Sequence, residues 1–185
     1  MRVTSGAAKG TRLRTPGRGG VRPTSDMVKE ALFNALAPRL ADARVLDLFA
    51  GTGGLGIEAL SRGAAQAVFV ERDGHSAGVI RQNLEAARLS DRGTVRRANA
   101  LTEIAALARA GTSFDLIVLD PPYGQGLAAE ALHRIAASGV LAPGGIVVAE
   151  GHWRDDPADI AGLRRVRAAR YGETGLWFYE RGEGA

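Results

Sequence analysis

A doubly wound α/β domain, with a mainly parallel sheet covered by helices on both faces, is the fold this sequence predicts, and two observations lead to it. Apolar runs of strand length alternate with segments of helical periodicity between residues 44 and 149, a rhythm that right-handed crossovers convert into a parallel sheet. A glycine-rich turn, Gly51-Thr52-Gly53-Gly54-Leu55-Gly56, joins the first of those runs to the helix that follows it, as in sheets that bind ligands at their strand ends. The 185 residues, 45% apolar and 24% charged, suit a single domain able to bury its own core.

Taken in order, residues 1–22 read as a basic arm or β-hairpin extension, and 23–185 as the main domain. Gly6, Gly10, Pro16, Gly17, Gly19 and Gly20 break any helix in the arm. Thr24 or Ser25 can cap a helix in which Val28, Ala31, Leu32, Ala35 and Leu36 recur at helical spacing, and Pro38 stops it. Strands are expected at 44–49, 67–70, 114–119 and 145–149, with helices near 54–62, 75–89, 100–110 and 126–138. At the end, 166–171 and 176–180 flank the turn cluster Gly172-Glu173-Thr174-Gly175, which predicts an antiparallel C-terminal hairpin closing one edge.

Composition removes several function classes. The chain has no cysteine, so disulfide scaffolds, thiolate zinc sites and cysteine nucleophiles are excluded, and no metal is expected. No apolar run resembles a signal peptide core or approaches the ~20 residues of a membrane span, so the expectation is a cytoplasmic protein with no membrane partner, a monomer by default. The net charge is +4, concentrated near the start: Arg2, Lys9, Arg12, Arg14, Arg18, Arg22 and Lys29 are opposed only by Asp26. Such a block can neutralise nucleic-acid phosphates; it can equally be a solvated basic arm.

The glycine turn carries the first chemistry. Gly51, Gly53 and Gly56 let a ligand approach the backbone, and Glu71 ends the next strand where a carboxylate can hold ribose hydroxyls. On spacing alone a nicotinamide dinucleotide fits as well as S-adenosylmethionine. Asp47, at the end of the first strand, would repel a pyrophosphate but attract the positive charge of S-adenosylmethionine; its other reading is a carboxylate that orders the turn.

The second chemistry is Asp120-Pro121-Pro122-Tyr123, directly after the apolar strand at 114–119. An exocyclic base amine is a poor nucleophile because its lone pair is delocalised into the ring. The Asp120 carboxylate can accept one of its N–H groups and the Pro121 carbonyl the other, favouring the developing ammonium charge. Pro121 and Pro122 remove two competing backbone donors, and Tyr123 offers a ring on which the base can stack. The target base must be unpaired or flipped from its stack.

With these residues in view, the sequence resembles the bacterial 16S rRNA (guanine-N2)-methyltransferases of the RsmD type over nearly its whole length. The likeness rests on the arm from Arg2 to Gly10, on Arg22-Pro23-Thr24-Ser25-Asp26 with Lys29-Glu30-Ala31-Leu32-Phe33-Asn34, on Asp47 to Gly56 with Glu58-Ala59-Leu60-Ser61-Arg62-Gly63-Ala64, on the tetrapeptide, and on Arg170-Tyr171-Gly172. The block at 22–34 discriminates, since the loop and tetrapeptide recur in many methyltransferases. The resemblance implies a Rossmann-like class I fold with S-adenosylmethionine as methyl donor. As partner it implies 16S rRNA or a small-subunit assembly intermediate.

It also implies a cofactor site of Asp47, Gly51, Thr52, Gly53, Leu55, Gly56, Glu71, Arg72, Asn99 and Ala100, with catalysis at Asp120, Pro121, Pro122 and Tyr123. Asn99 stands where the family usually has aspartate near the adenine; its amide oxygen can still accept from the adenine amine. Arg14, Arg18, Arg22, Thr24 and Lys29 are the candidate RNA contacts. Alternatives at this stage are an N6-adenine methyltransferase, a small-molecule or protein-glutamine methyltransferase, an NAD(P)-dependent oxidoreductase, which gives the tetrapeptide no role, and a non-catalytic rRNA-binding assembly factor.

Overall fold

The computed structural model describes residues 1–15 and 25–182. Ser25 caps α1, Asp26–Leu36, by accepting the Val28 N–H, and a single 3₁₀ turn, Ala37–Arg39, follows it where Pro38 forbids further α-helix. The alternating body comprises β1 Arg44–Leu48, α2 Gly54–Ser61, β2 Gln66–Glu71, α3 Gly74–Ala86, β3 Gly93–Arg97, α4 Ala100–Arg109, β4 Phe114–Leu119, α5 Leu127–Ala136 and β5 Leu141–His152. A hairpin of β6 Leu163–Tyr171 and β7 Thr174–Arg181 completes the chain.

The seven strands form one sheet in the order β3-β2-β1-β4-β5-β7-β6, parallel from β3 to β5, with β7 antiparallel to β5 and β6 antiparallel to β7. This is the predicted doubly wound sheet with its antiparallel C-terminal hairpin, the class I methyltransferase arrangement. Strand β3, Gly-Thr-Val-Arg-Arg, is the one body element absent from the expectation. Among its residues only Val95 is strongly apolar, because a short edge strand is half solvated and carries no apolar run. Two apolar clusters fill the two faces, one around Phe33, Ile57 and Phe69, the other around Leu46, Ile117 and Leu132.

Chain order reverses between β1 and β4, where the sheet is wound outward in both directions. Leu48 pairs with Leu119, so the segments following these two strands leave the sheet side by side. A crevice at such a switch point is where open α/β sheets bind ligands.

The start of the chain is docked rather than free. Val3 N–H donates to Thr11 O (3.0 Å) and Gly10 N–H to Val3 O (2.9 Å), closing a small hairpin with an antiparallel bridge from Arg2 to Arg12. Val3, Ala8 and Leu13 are buried in the same apolar cluster as α1 and α2. The fastening is polar: Glu58 of α2, with no exposed surface, accepts the Thr4 N–H (2.8 Å), the Thr4 hydroxyl (2.7 Å), the Ser5 N–H (3.0 Å) and the Arg62 Nε–H (2.8 Å).

Candidate active site

The turn after β1 is held by its own carboxylates. Asp47 Oδ2 accepts the Gly56 N–H at 2.8 Å, and Glu71 accepts the Gly51 N–H at 2.9 Å and the Asp73 N–H at 2.8 Å through its two oxygens. Gly53 occupies the left-handed region (φ 76°) as it opens α2, a conformation that disfavours side chains. Asn83 of α3, fully buried, steadies the turn from behind by donating to Thr52 O at 2.9 Å.

Gly56 is required for a different reason. A Cβ there would lie 2.3 Å from a ring carbon of Phe69, itself fully buried. Gly56→Ala is therefore expected to cost about 1–3 kcal/mol through overpacking, read as a lower urea midpoint at unchanged m-value.

Asp47 is 1% exposed, and its pKa is pushed up from 3.8 to about 8. Burial is the main cause; the Gly56 N–H opposes it and the neighbouring Glu71 charge adds to it. A carboxylate held in this state gains most from a cationic ligand, and the glycine turn with Glu71 suits the remainder of S-adenosylmethionine. Of the two sequence readings of Asp47, the one in which its carboxylate orders the turn is the contact seen here. Thr52 and Leu55 are buried within the turn, and Arg72 is exposed beyond Glu71.

Asn99 has a task that the sequence did not disclose. It caps α4, its Oδ1 accepting from Leu101 N–H (2.9 Å) and Thr102 N–H (3.4 Å), with Ala100 buried just inside the helix. The amide oxygen expected to face an adenine amine is thus engaged by the helix terminus. Aspartate caps as well as asparagine, so the exchange leaves the local fold intact.

Asp120 leaves β4 half-buried, followed by a buried Pro121 and exposed Pro122 and Tyr123. The β1–β4 pairing brings this tetrapeptide and the glycine turn to the same end of the sheet. Gly124 N–H donates to Asp155 Oδ2 (3.0 Å), tying the tetrapeptide to the loop after β5. Where that loop leaves β5, Tyr123 and His152 lie edge to face at 6.3 Å between ring centres, and His152 lies 6.1 Å from Trp153. Sequence reasoning passed over this ring series, although His152-Trp153-Arg154 directly follows an apolar strand.

The candidate RNA contacts divide. Lys29 is corrected: it is 1% exposed, its Nζ lies 3.4 Å from Glu58 Oε2 and donates to Arg2 O, so it is an internal cation rather than a surface one. Arg14 remains exposed, its Nη1 donating to Gln82 Oε1 at 3.1 Å, while its backbone is held by Asn83 through bonds of 2.7 and 3.0 Å. Asn83 thereby links the chain start to Thr52. Arg18, Arg22 and Thr24 lie outside the described residues.

Comparison with known proteins gives a consistent picture. A family model described as "Conserved hypothetical protein 95" matches residues 1–180. The YlbH protein of Bacillus subtilis (strain 168), provisionally named an rRNA methyltransferase, is 40% identical over 183 residues, 98% of this chain and 99% of the relative. Ribosomal RNA small subunit methyltransferase D of Escherichia coli (strain K12) is 38% identical over 150 residues, 81% of this chain and 74% of the relative. Among solved structures, yhhF of Escherichia coli, provisionally named a methyltransferase, superposes with a TM-score of 0.85 at 34% identity, covering 98% of this chain and 97% of that one.

Proposed function

The chain belongs to the conserved hypothetical protein 95 family, which holds the RsmD-type proteins, and from that premise we propose that it methylates small-subunit ribosomal RNA using S-adenosylmethionine, at the N2 amine of a guanine. The observation that carries the reading is the pairing of Leu48 with Leu119, which sets a glycine turn with a buried carboxylate beside an Asp-Pro-Pro-Tyr segment. An oxidoreductase would give that segment no work.

When bound, S-adenosylmethionine supplies an electrophilic methyl carbon on a cationic sulfur. The turn of Gly51, Thr52, Gly53, Leu55 and Gly56 would hold it, with Asp47 answering its positive charge, Glu71 its ribose, and Arg72, Asn99 and Ala100 the adenosine end. Asp120 accepts an N–H of the target amine, with the Pro121 carbonyl as second acceptor. The lone pair is thereby turned away from conjugation, and Asp120 takes up the proton that the amine releases. Tyr123 stacks on the base.

Transfer of labelled methyl from S-adenosylmethionine to small subunits lacking the modification, followed by mapping of the labelled nucleotide, tests the reading. Label on guanine N2 of the small-subunit RNA is the expected result; label on adenine, or none, overturns the assignment.

A pH dependence follows from Asp47. The free carboxyl holds its proton up to about pH 8, whereas a cationic ligand favours the anion, so binding releases a proton below that pH. Affinity for S-adenosylmethionine is expected to rise by up to about tenfold per pH unit on approaching pH 8 from below and then to level off. Calorimetric titration of wild type beside Asp47→Asn checks this. The variant keeps an acceptor for Gly56, and any slope it retains belongs to the ligand's own amine.

A further inference from the structure

Beside the tetrapeptide lies a patch to which the functional reading gives no task. β5 outruns its neighbour: β4 ends with Leu119 against Ala149, while Glu150, Gly151 and His152 continue in register with β7. This extension carries His152, Trp153 and Arg154 past the sheet at the same end as Asp120. The turn between β6 and β7 projects there too and brings Arg170. Its guanidinium carbon lies 3.8 Å from the centre of the Trp153 ring, and that of Arg154 lies 5.1 Å from it.

The patch is held in place before any ligand arrives. Trp153 N–H donates to Glu173 O at 2.8 Å, and Arg170 Nε–H to Gly172 O at 2.8 Å. The far end of the loop is anchored by Asp156, which accepts both terminal nitrogens of Arg165 (2.7 and 3.0 Å) and the Ala158 N–H (2.8 Å). Arg154 and Arg170 are exposed, and neither is in an ion pair among the described residues, whereas Arg164 and Arg165 of the same hairpin are. Guanidinium groups already set against a ring lose little freedom on gripping an anion.

We infer that this patch binds the unpaired RNA strand flanking the target nucleotide, with Arg154 and Arg170 on its phosphates and the His152 and Trp153 rings alongside its bases. The inference rests on the RNA-methyltransferase reading and extends it by giving the strand a path away from Asp120. Two cations with no carboxylate partner among the described residues, interleaved with aromatic rings, match a single-stranded polyanion that also offers π-faces. An acidic protein segment would use the cations and leave the rings idle.

Binding of a single-stranded oligouridylate of about 10 nucleotides, a length within the usual span of one single-strand site, tests this independently of methyl transfer. Arg154→Gln with Arg170→Gln is expected to weaken binding about tenfold at 0.1 M salt and to flatten the slope of log affinity against log salt by about 1.4, two phosphate contacts' worth. S-adenosylmethionine affinity and the thermal midpoint should stay at wild-type values. Trp153→Phe should retain most of the affinity and Trp153→Ala lose it, which separates ring contact from charge alone.

Wild-type oligonucleotide affinity and salt slope in the double arginine variant would overturn the inference. So would an unchanged oligonucleotide affinity with lost activity on assembled subunits, which would mark a protein contact. Binding that depends on these arginines in a protein transferring no methyl to ribosomal RNA would support the patch while overturning the functional reading.

Discussion

Asp120→Ala is expected to slow methyl transfer to ribosomal RNA by about 10²–10⁴-fold, with S-adenosylmethionine and RNA affinities within about twofold of wild type, since general acid–base groups act chiefly on the transition state. The carboxylate is the only one in the tetrapeptide and the one group there ionised at neutral pH by its ordinary pKa, and it leaves β4 directly beside the turn that follows β1. On the proposed mechanism, its removal would strip the target amine of the group that receives an N–H and then a proton. Asp120→Asn sharpens the test: the amide retains an acceptor oxygen but cannot take the proton, so its rate should lie between wild type and alanine. Single-turnover measurement with saturating RNA and cofactor isolates the chemical step. A wild-type rate in the alanine variant would remove Asp120 from the mechanism.

Glu58→Ala is expected to be the most destabilising single change outside the apolar core, by about 3–5 kcal/mol, the usual result of stripping one partner from a buried ion pair. The Lys29 ammonium, 1% exposed, would lose the carboxylate 3.4 Å away, and Thr4, Ser5 and Arg62 would lose a shared acceptor. Urea denaturation measures the loss. Glu58→Leu combined with Lys29→Met should cost less than Glu58→Leu alone, because the double change no longer leaves the buried Lys29 ammonium without the carboxylate beside it.

The same carboxylate gives the stability a pH signature. Burial works to raise the Glu58 pKa, but the Thr4 N–H, the Arg62 guanidinium, the Thr4 hydroxyl and the Lys29 charge together outweigh it, and the net direction is down from 4.5. The unfolded chain therefore binds the proton first. The stabilisation is complete above the unfolded value and is lost as pH falls through the depressed folded one. Wild type should lose stability on acidification through this window, and Glu58→Gln should lose less; equal acid dependence in the two proteins would contradict the assignment.

Much of the fold was legible because its signals are local. Apolar run length marked β1, β2 and β4, and Ser25 and Pro38 bounded α1 by capping and by a missing donor. Strand β3 escaped because Gly93–Arg97 lies at the sheet edge, where solvation removes the apolar run that identifies a buried strand. The placement of Asp47, the glycine turn and Asp120 at one end of the sheet was legible in the same way, since it follows from chain order. Lys29 was misread for the opposite reason: a lysine on a helix is ordinarily solvated, and nothing near it in sequence announces that Glu58 will meet it inside.

The amino-acid sequence by itself determined the alternation of strands and helices, the glycine turn, and the residue types of the Asp-Pro-Pro-Tyr segment, because periodicity, backbone freedom and chemical character are properties of neighbouring residues. Only the tertiary structure decided that Glu58 and Lys29 pair in the interior, that Asn83 joins the chain start to the Thr52 turn, that the Asn99 oxygen belongs to a helix cap, and that Trp153 meets Arg170 across the C-terminal hairpin. Each of these depends on groups far apart along the chain, or on the choice among partners for one polar atom, and burial and strand register make that choice only once the sheet has formed.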